Sequence, residues 1–217
     1  MAGSGPAEQA CEVTQWQASW GVKESFRAYL SGALAMGQWT TDGDVSYSTP
    51  VFLFAGDRGS VSPDGSWGEM TTEGSIRFVG HDGLLDQSLA QPTLRFDNGQ
   101  LFVVFDVSGD TQEGLPVDQQ DVDFVRVETS EAVIDEDTGT WSLSQAPTGL
   151  TEEGAAAFGT YPAGEPFDPI DVTISTTPGC LTDNNTSWFF GLGIGLAVTT
   201  AVAIVLVRRW RGRGRRE

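Results

Sequence analysis

Short apolar runs recur through the middle of the chain, separated by turn residues, and their spacing is that of strands. Residues 51–54 form one such run. Residues 94–96 and 101–107 flank Asp97-Asn98-Gly99, and the Asn-Gly pair predicts a tight hairpin turn. Residues 101–105 are apolar on both faces, the pattern of a central strand. Runs at 122–127, 132–134 and 140–143 continue the series, with 135–139 as a further turn. In the stretch 74–86, Ile76 and Phe78 alternate with Arg77 and Val79, and Gly80 and Gly83 bracket His81 in a turn at the strand's end. Two stretches read as helix. Phe26, Tyr29, Leu30 and Ala33 fall at i, i+3, i+4 and i+7, which turns them inward on one face, while Lys23, Arg27 and Ser31 point elsewhere. Thr151, followed by Glu152 and Glu153, predicts the N-cap of a short helix running through Phe158. Together these elements predict a mainly β fold, an antiparallel β-sandwich or partly open barrel with one or two short helices.

One run has a different character. Residues 188–207 are 20 uncharged, mostly apolar residues, enough for a single C-terminal transmembrane helix across about 30 Å of hydrocarbon. Arg208, Arg209, Arg211, Arg213, Arg215 and Arg216 follow at once, so the positive-inside rule puts residues 208–217 in the cytoplasm and the rest outside. Trp188 and Trp210 sit where interfacial aromatics are expected, and Gly191 with Gly195 makes a GxxxG spacing that is too common in spans to establish dimerisation. The expected organisation is an N-terminal segment (1–15), one domain (16–176), a polar tether (177–187), the span (188–207) and the basic tail (208–217).

Charge divides the chain at the same place. Six of the 12 Lys+Arg and 29 of the 30 acids precede residue 208, a net charge of −23 for the outer part against +5 for the tail. Such acidity argues against nucleic acid as a partner and fits a solvated outer face or a salty habitat. Residues 1–10 carry no apolar run, so a leader is expected to have been removed or to lie upstream. Cys11 and Cys180 lie just outside the two ends of the domain, and a bond between them would suit an exported protein. On the chain-entropy model a loop that long contributes about 5 kcal/mol. Two free thiols are the alternative. Sequons at Asn184 and Asn185 matter only in a host that glycosylates them.

The chemistry that stands out is a tyrosine on the inward face of a helix and the chain's one histidine in a glycine-flanked turn. On spacing alone, Tyr29 is an amphipathic core residue and His81 a turn residue. Three stretches taken together change that reading. WGVKESFRAYL (20–30), GSIRFVGHDGLLD (74–86) and FGTYPAGEPFDPI (158–170) resemble, in this order, the HtaA-type haem-binding domain of Gram-positive actinobacteria, and the likeness extends over about residues 16–174. The resemblance implies that Tyr29 is the axial ligand of ferric haem (haem b), that His81 hydrogen-bonds Tyr29, and that Tyr161 belongs to the haem site. It also implies a mainly β domain.

General chemistry agrees with those roles. Ferric iron prefers an anionic oxygen ligand, and tyrosine is one of the few axial haem ligands proteins use. A free phenol titrates near about 10, so a neighbour must share in its hydrogen bonding if it is to serve as phenolate, and an imidazole can do so while fixing its direction. Porphyrin needs apolar walls, for which Phe26, Val22, Leu85, Phe52 and Trp67 are candidates. Its propionates need local donors such as Ser25, Arg27 or Arg77, because the domain's field repels anions.

Enzyme classes fare poorly: there is no second histidine, no Cys/His zinc cluster, no GxSxG elbow and no phosphate-binding glycine loop. The expected function is therefore a non-enzymatic, membrane-anchored cell-surface protein that captures haem and passes it along an uptake relay. Haemoproteins, other haem-binding surface proteins or a haem ABC transporter are the expected partners. The alternative is an adhesion or glycan- or protein-binding module in which Tyr29 and His81 are a buried pair.

Overall fold

The computed structural model describes residues 10–182; the span, sequons and basic tail expected from the sequence lie outside them. Among the described residues, thirteen strands, all paired antiparallel, make one sheet. In chain order they are β1 (Cys11–Trp20), β2 (Gln38–Gly43), β3 (Val45–Ser48), β4 (Val51–Gly56), β5 (Arg58–Val61), β6 (Gly68–Thr71), β7 (Gly74–Gly80), β8 (Leu85–Asp97), β9 (Gln100–Asp110), β10 (Pro116–Val127), β11 (Val133–Asp135), β12 (Thr140–Leu150) and β13 (Pro166–Thr176). Helix α1 (Glu24–Ser31) joins β1 to β2, and α2 (Glu152–Phe158) joins β12 to β13.

The pairings run in a circuit. β1 pairs β5, then β6, β8, β9, β10, β12 and β13 follow, and β13 returns to β1. At one end this closes a barrel, with β11 carried as an edge strand on the start of β12. At the other end two strands change partner. β1 pairs β5 only through Cys11 and Glu12, and from Trp16 to Trp20 pairs β4 instead. β8 pairs β6 from Thr93 to Phe96 and β7 from Leu85 to Ala90, switching at Gln91, whose φ of 50° marks the bulge. β4 then carries β3, and β7 carries β2, but β2 and β3 do not hydrogen-bond to each other. The fold is a barrel split along one seam at its α1 end, the second of the two architectures the sequence allowed.

Alternation drives the closure. In β8 and β13 every second residue is buried over most of the strand, so each presents one apolar stripe to a common interior. Trp20, Phe105, Phe124 and Phe167 meet there in stacked and edge-to-face contacts with centroids 5.7 to 6.4 Å apart. The Asn98-Gly99 turn joins β8 to β9, both residues at positive φ as a tight hairpin requires. The Thr151 hydroxyl accepts from Gly154 N at 2.8 Å and caps α2 as expected. Cys11 and Cys180 are joined by a disulfide with Cα atoms 5.7 Å apart, tying the chain past β13 to the start of β1.

α1 departs from its expected wheel. It ends at Ser31, so Ala33 lies beyond it and is exposed. Its buried face is Phe26, Arg27 and Leu30. Phe26 packs against Phe78 of β7 and Phe158 of α2, at 5.1 and 4.9 Å between centroids. Leu30 fits where glycines at 37 and 80 let the backbone approach: a Cβ on either would stand within 3 Å of its Cδ1. Arg27 is buried because a carboxylate, invisible to periodicity, is waiting for it.

Candidate functional site

That carboxylate is Asp168. Its Oδ2 accepts from Arg27 Nη2 and its Oδ1 from Glu24 N at the start of α1, each at 2.8 Å. Gly21 admits it, since a Cβ there would stand 2.1 Å from Asp168 Oδ2. Arg27 Nη1 donates to the Pro50 carbonyl. Arg27 is thus spent on holding the helix and does not join the group around Tyr29. Arg77 is equally committed, giving two hydrogen bonds of 2.6 Å to Asp86, and the Asp86 carboxyl is held below its ordinary range chiefly by that hydrogen bonding.

The other side of α1 carries a row of polar tips. Ser25 and Tyr29 are one turn apart on this side. Tyr29 Oη hydrogen-bonds His81 Nε2 and accepts a second hydrogen bond, of 2.9 Å, from Gln112 Nε2. The Ser25 hydroxyl hydrogen-bonds Tyr161 Oη at 3.2 Å. Lys23 Nζ stands 5.1 Å from the Tyr161 ring centroid and pairs with Glu165 at 2.9 Å. Tyr161 stacks on Phe158, with ring centroids 6.2 Å apart, so the row is backed by the same aromatic core that seats Phe26.

His81 reaches Tyr29 through backbone geometry. β7 ends at Gly80, and the three residues of the 3-10 turn that follows, His81, Asp82 and Gly83, all have positive φ. His81 N donates to Ala35 O at 2.8 Å, which fixes the turn against the loop leaving α1. Gln112 comes from the turn between β9 and β10, where Thr111 N donates to Leu115 O at 2.9 Å. Two turns therefore converge on one phenol, and the loop leaving α1 braces the first of them.

Large apolar side chains stand exposed on those same three loops. They are Leu34 and Met36 after α1, Leu84 after His81, and Leu115 after Gln112, each more than half exposed. The two outer loops touch, because a Cβ on Gly114 would stand 2.8 Å from Leu84 Cδ1. An oxygen able to be anionic thus lies half-buried, oriented by an imidazole and an amide, beside an apolar rim. Such a site suits a flat apolar ligand carrying a hard cation. Of the walls expected from the sequence, Phe26, Val22, Leu85 and Phe52 are buried in the core, and Trp67 sits on the loop beside β6 at the closed end of the barrel. Gln112 and the rim were not foreseen. Bulky apolar residues directly after a glycine in turns, as at Leu84 and Leu115, were the available signal.

A split antiparallel barrel with a tyrosine–histidine pair at its helix-bearing rim defines the class. The Htaa family model matches residues 15–173, and the chain belongs to the HtaA family. It is similar to the C-terminal domain of HtaA from Corynebacterium glutamicum, at 28% identity and a TM-score of 0.67 over 76% of this chain and 98% of that one. The N-terminal domain of the same protein compares at 27% identity and 0.65 over 76% and 98%. The heme binding protein HtaB of that organism shares the fold at 21% identity, with a TM-score of 0.52 over 77% and 96%. No curated protein matches the sequence.

Proposed function

We propose that this chain is a cell-surface haem-binding protein that takes up ferric haem (haem b) through the Tyr29 phenolate and hands it on to an uptake relay. The single observation that carries the reading is the convergence of His81 and Gln112 on Tyr29 Oη within an apolar rim. A phenol hydrogen-bonded from two sides can give up its proton to the His81 imidazole when iron takes the oxygen, and Gln112 continues to donate to the resulting anion. Leu34, Met36, Leu84 and Leu115 cover the porphyrin. The Ser25 and Tyr161 hydroxyls, with Lys23 beside them, meet its propionates. Oxygen ligation favours the ferric state, which serves capture and release rather than oxygen chemistry. The apolar segment 188–207 anchors the domain outside the membrane, with the arginine tail inside.

The test is an absorbance titration of the full chain in detergent with ferric haem, run beside Tyr29→Phe. A saturable one-to-one Soret band that collapses in the variant is the expected result. Equal ligation in the variant would remove Tyr29 from its role, and no specific band in folded wild type would leave an adhesion module on the same fold.

A further inference from the structure

α1 has a second flank, and behind it lies a cleft of about 510 Å³. That size falls within the range of about 300–1,000 Å³ usual for small-molecule sites. The cleft opens at the seam where β2 and β3 part, with Trp39 on one strand and Tyr47 on the other. The two rings meet edge to face with centroids 5.2 Å apart, and Tyr47 rests on the buried Phe52 at 4.8 Å. They form a supported, half-exposed aromatic wall. Opposite it stand Glu24 and Ser31 of α1, on the flank turned away from Ser25 and Tyr29, together with Gln145.

The charges decide what the cleft can take. The cation in its wall, Arg27, is already matched by Asp168 at 2.8 Å, so an anion finds no free counter-charge in a domain that is strongly acidic. A small cation would find only the exposed Glu24 carboxylate, whose pull water screens. What remains is an uncharged ligand with one apolar face for the aromatic wall and an edge of hydroxyls. Glu24, the Ser31 hydroxyl oxygen and the Gln145 carbonyl can accept from those hydroxyls, while one of the two Gln145 amide hydrogens goes to Asp171 at 3.0 Å. We propose that this cleft is a second binding site, distinct from the Tyr29 rim, and that it takes a neutral sugar ring.

The test is saturation-transfer NMR on the full chain, held in a detergent without a sugar headgroup, with maltose, lactose and N-acetylglucosamine as probes. Saturable transfer to the ring C–H protons of at least one probe is expected. Trp39→Leu should weaken it by about tenfold, the worth of an aromatic contact. Because Trp39 also packs on the core, Glu24→Gln provides an exposed second variant that cannot unfold the barrel, and it should weaken binding as well. Absence of transfer from all three probes, or transfer unchanged in both variants, overturns the proposal. So does choline competing with the bound sugar, since a cation site would then be present. Haem titration in the same samples reports on Tyr29 separately, so failure at one site leaves the other readable.

Discussion

Asp168→Ala should be among the most damaging single substitutions outside the aromatic core. It strips the counter-charge from an Arg27 that is only 8% exposed and whose Nε already lacks a partner. Removing one member of a buried pair costs about 3–5 kcal/mol. The Asp168 side chain keeps 21% of its surface, which argues for the lower end. Glu24 N loses its acceptor too, worth about 1 kcal/mol at a helix start. The sum is roughly 4 kcal/mol, or a melting temperature lower by roughly 10 °C in a domain of this size. Urea unfolding followed by circular dichroism measures it. The double variant Arg27→Met/Asp168→Ala should recover most of the loss, because no buried charge is then left unpaired. A single variant within about 1 kcal/mol of wild type, or a double variant no more stable than the single, would refute the account of Asp168 as the anchor of α1. Since Tyr29 rides on that helix, haem affinity should fall in the single variant and return in the double.

Three further outcomes are expected. His81→Ala should keep haem binding but speed transfer to a competing haem acceptor, because the phenolate loses one of its two orienting partners; unchanged release kinetics would deny His81 that role. Thiol reagents should label neither Cys11 nor Cys180 until the protein is reduced, and reduction should cost up to about 5 kcal/mol in the urea assay. On acidification, stability should hold down to the ordinary carboxylate range and fall below it. Asp64 is held low by hydrogen bonds from Ser62 and Ser66, and Asp171, although burial raises it, is brought below its ordinary value by hydrogen bonds from Gln145, Ser144 and Ser19. Carboxyls depressed in the fold stabilise it above the unfolded value near 3.8 and lose that contribution as the pH drops through the folded one. A stability that declines already between pH 7 and 5 would contradict this, as would one that rises below pH 3.

What the sequence disclosed and what it withheld divide along a physical line. Period and turn chemistry are local, so β8, β9, their Asn-Gly hairpin and the Thr151 cap were legible. β1 and β13 were not read as strands. The alternation in CEVTQWQASW is interrupted, and PFDPIDVTIST carries two prolines; both strands are made by pairing to each other, 150 or so residues apart in the chain. The closure of the barrel rests on that long-range pair and so could not be seen. The site divides in the same way. Tyr29 and His81 were marked by motifs, but Arg27 was assigned by wheel angle to an outer face and offered to a ligand's propionates. Its burial is decided by Asp168, which follows Phe167 at the far end of the domain and enters only because position 21 lacks a Cβ. A periodicity argument assigns a charged residue to water by default, and that default fails wherever a distant partner of opposite charge is brought to it. Phe26 and Arg27 sit beside each other on α1, one expected inside and one outside, and both are inside. Their burial turns one flank of the helix toward His81 and the other toward the cleft, and so leaves the two proposed sites separated by a single helix.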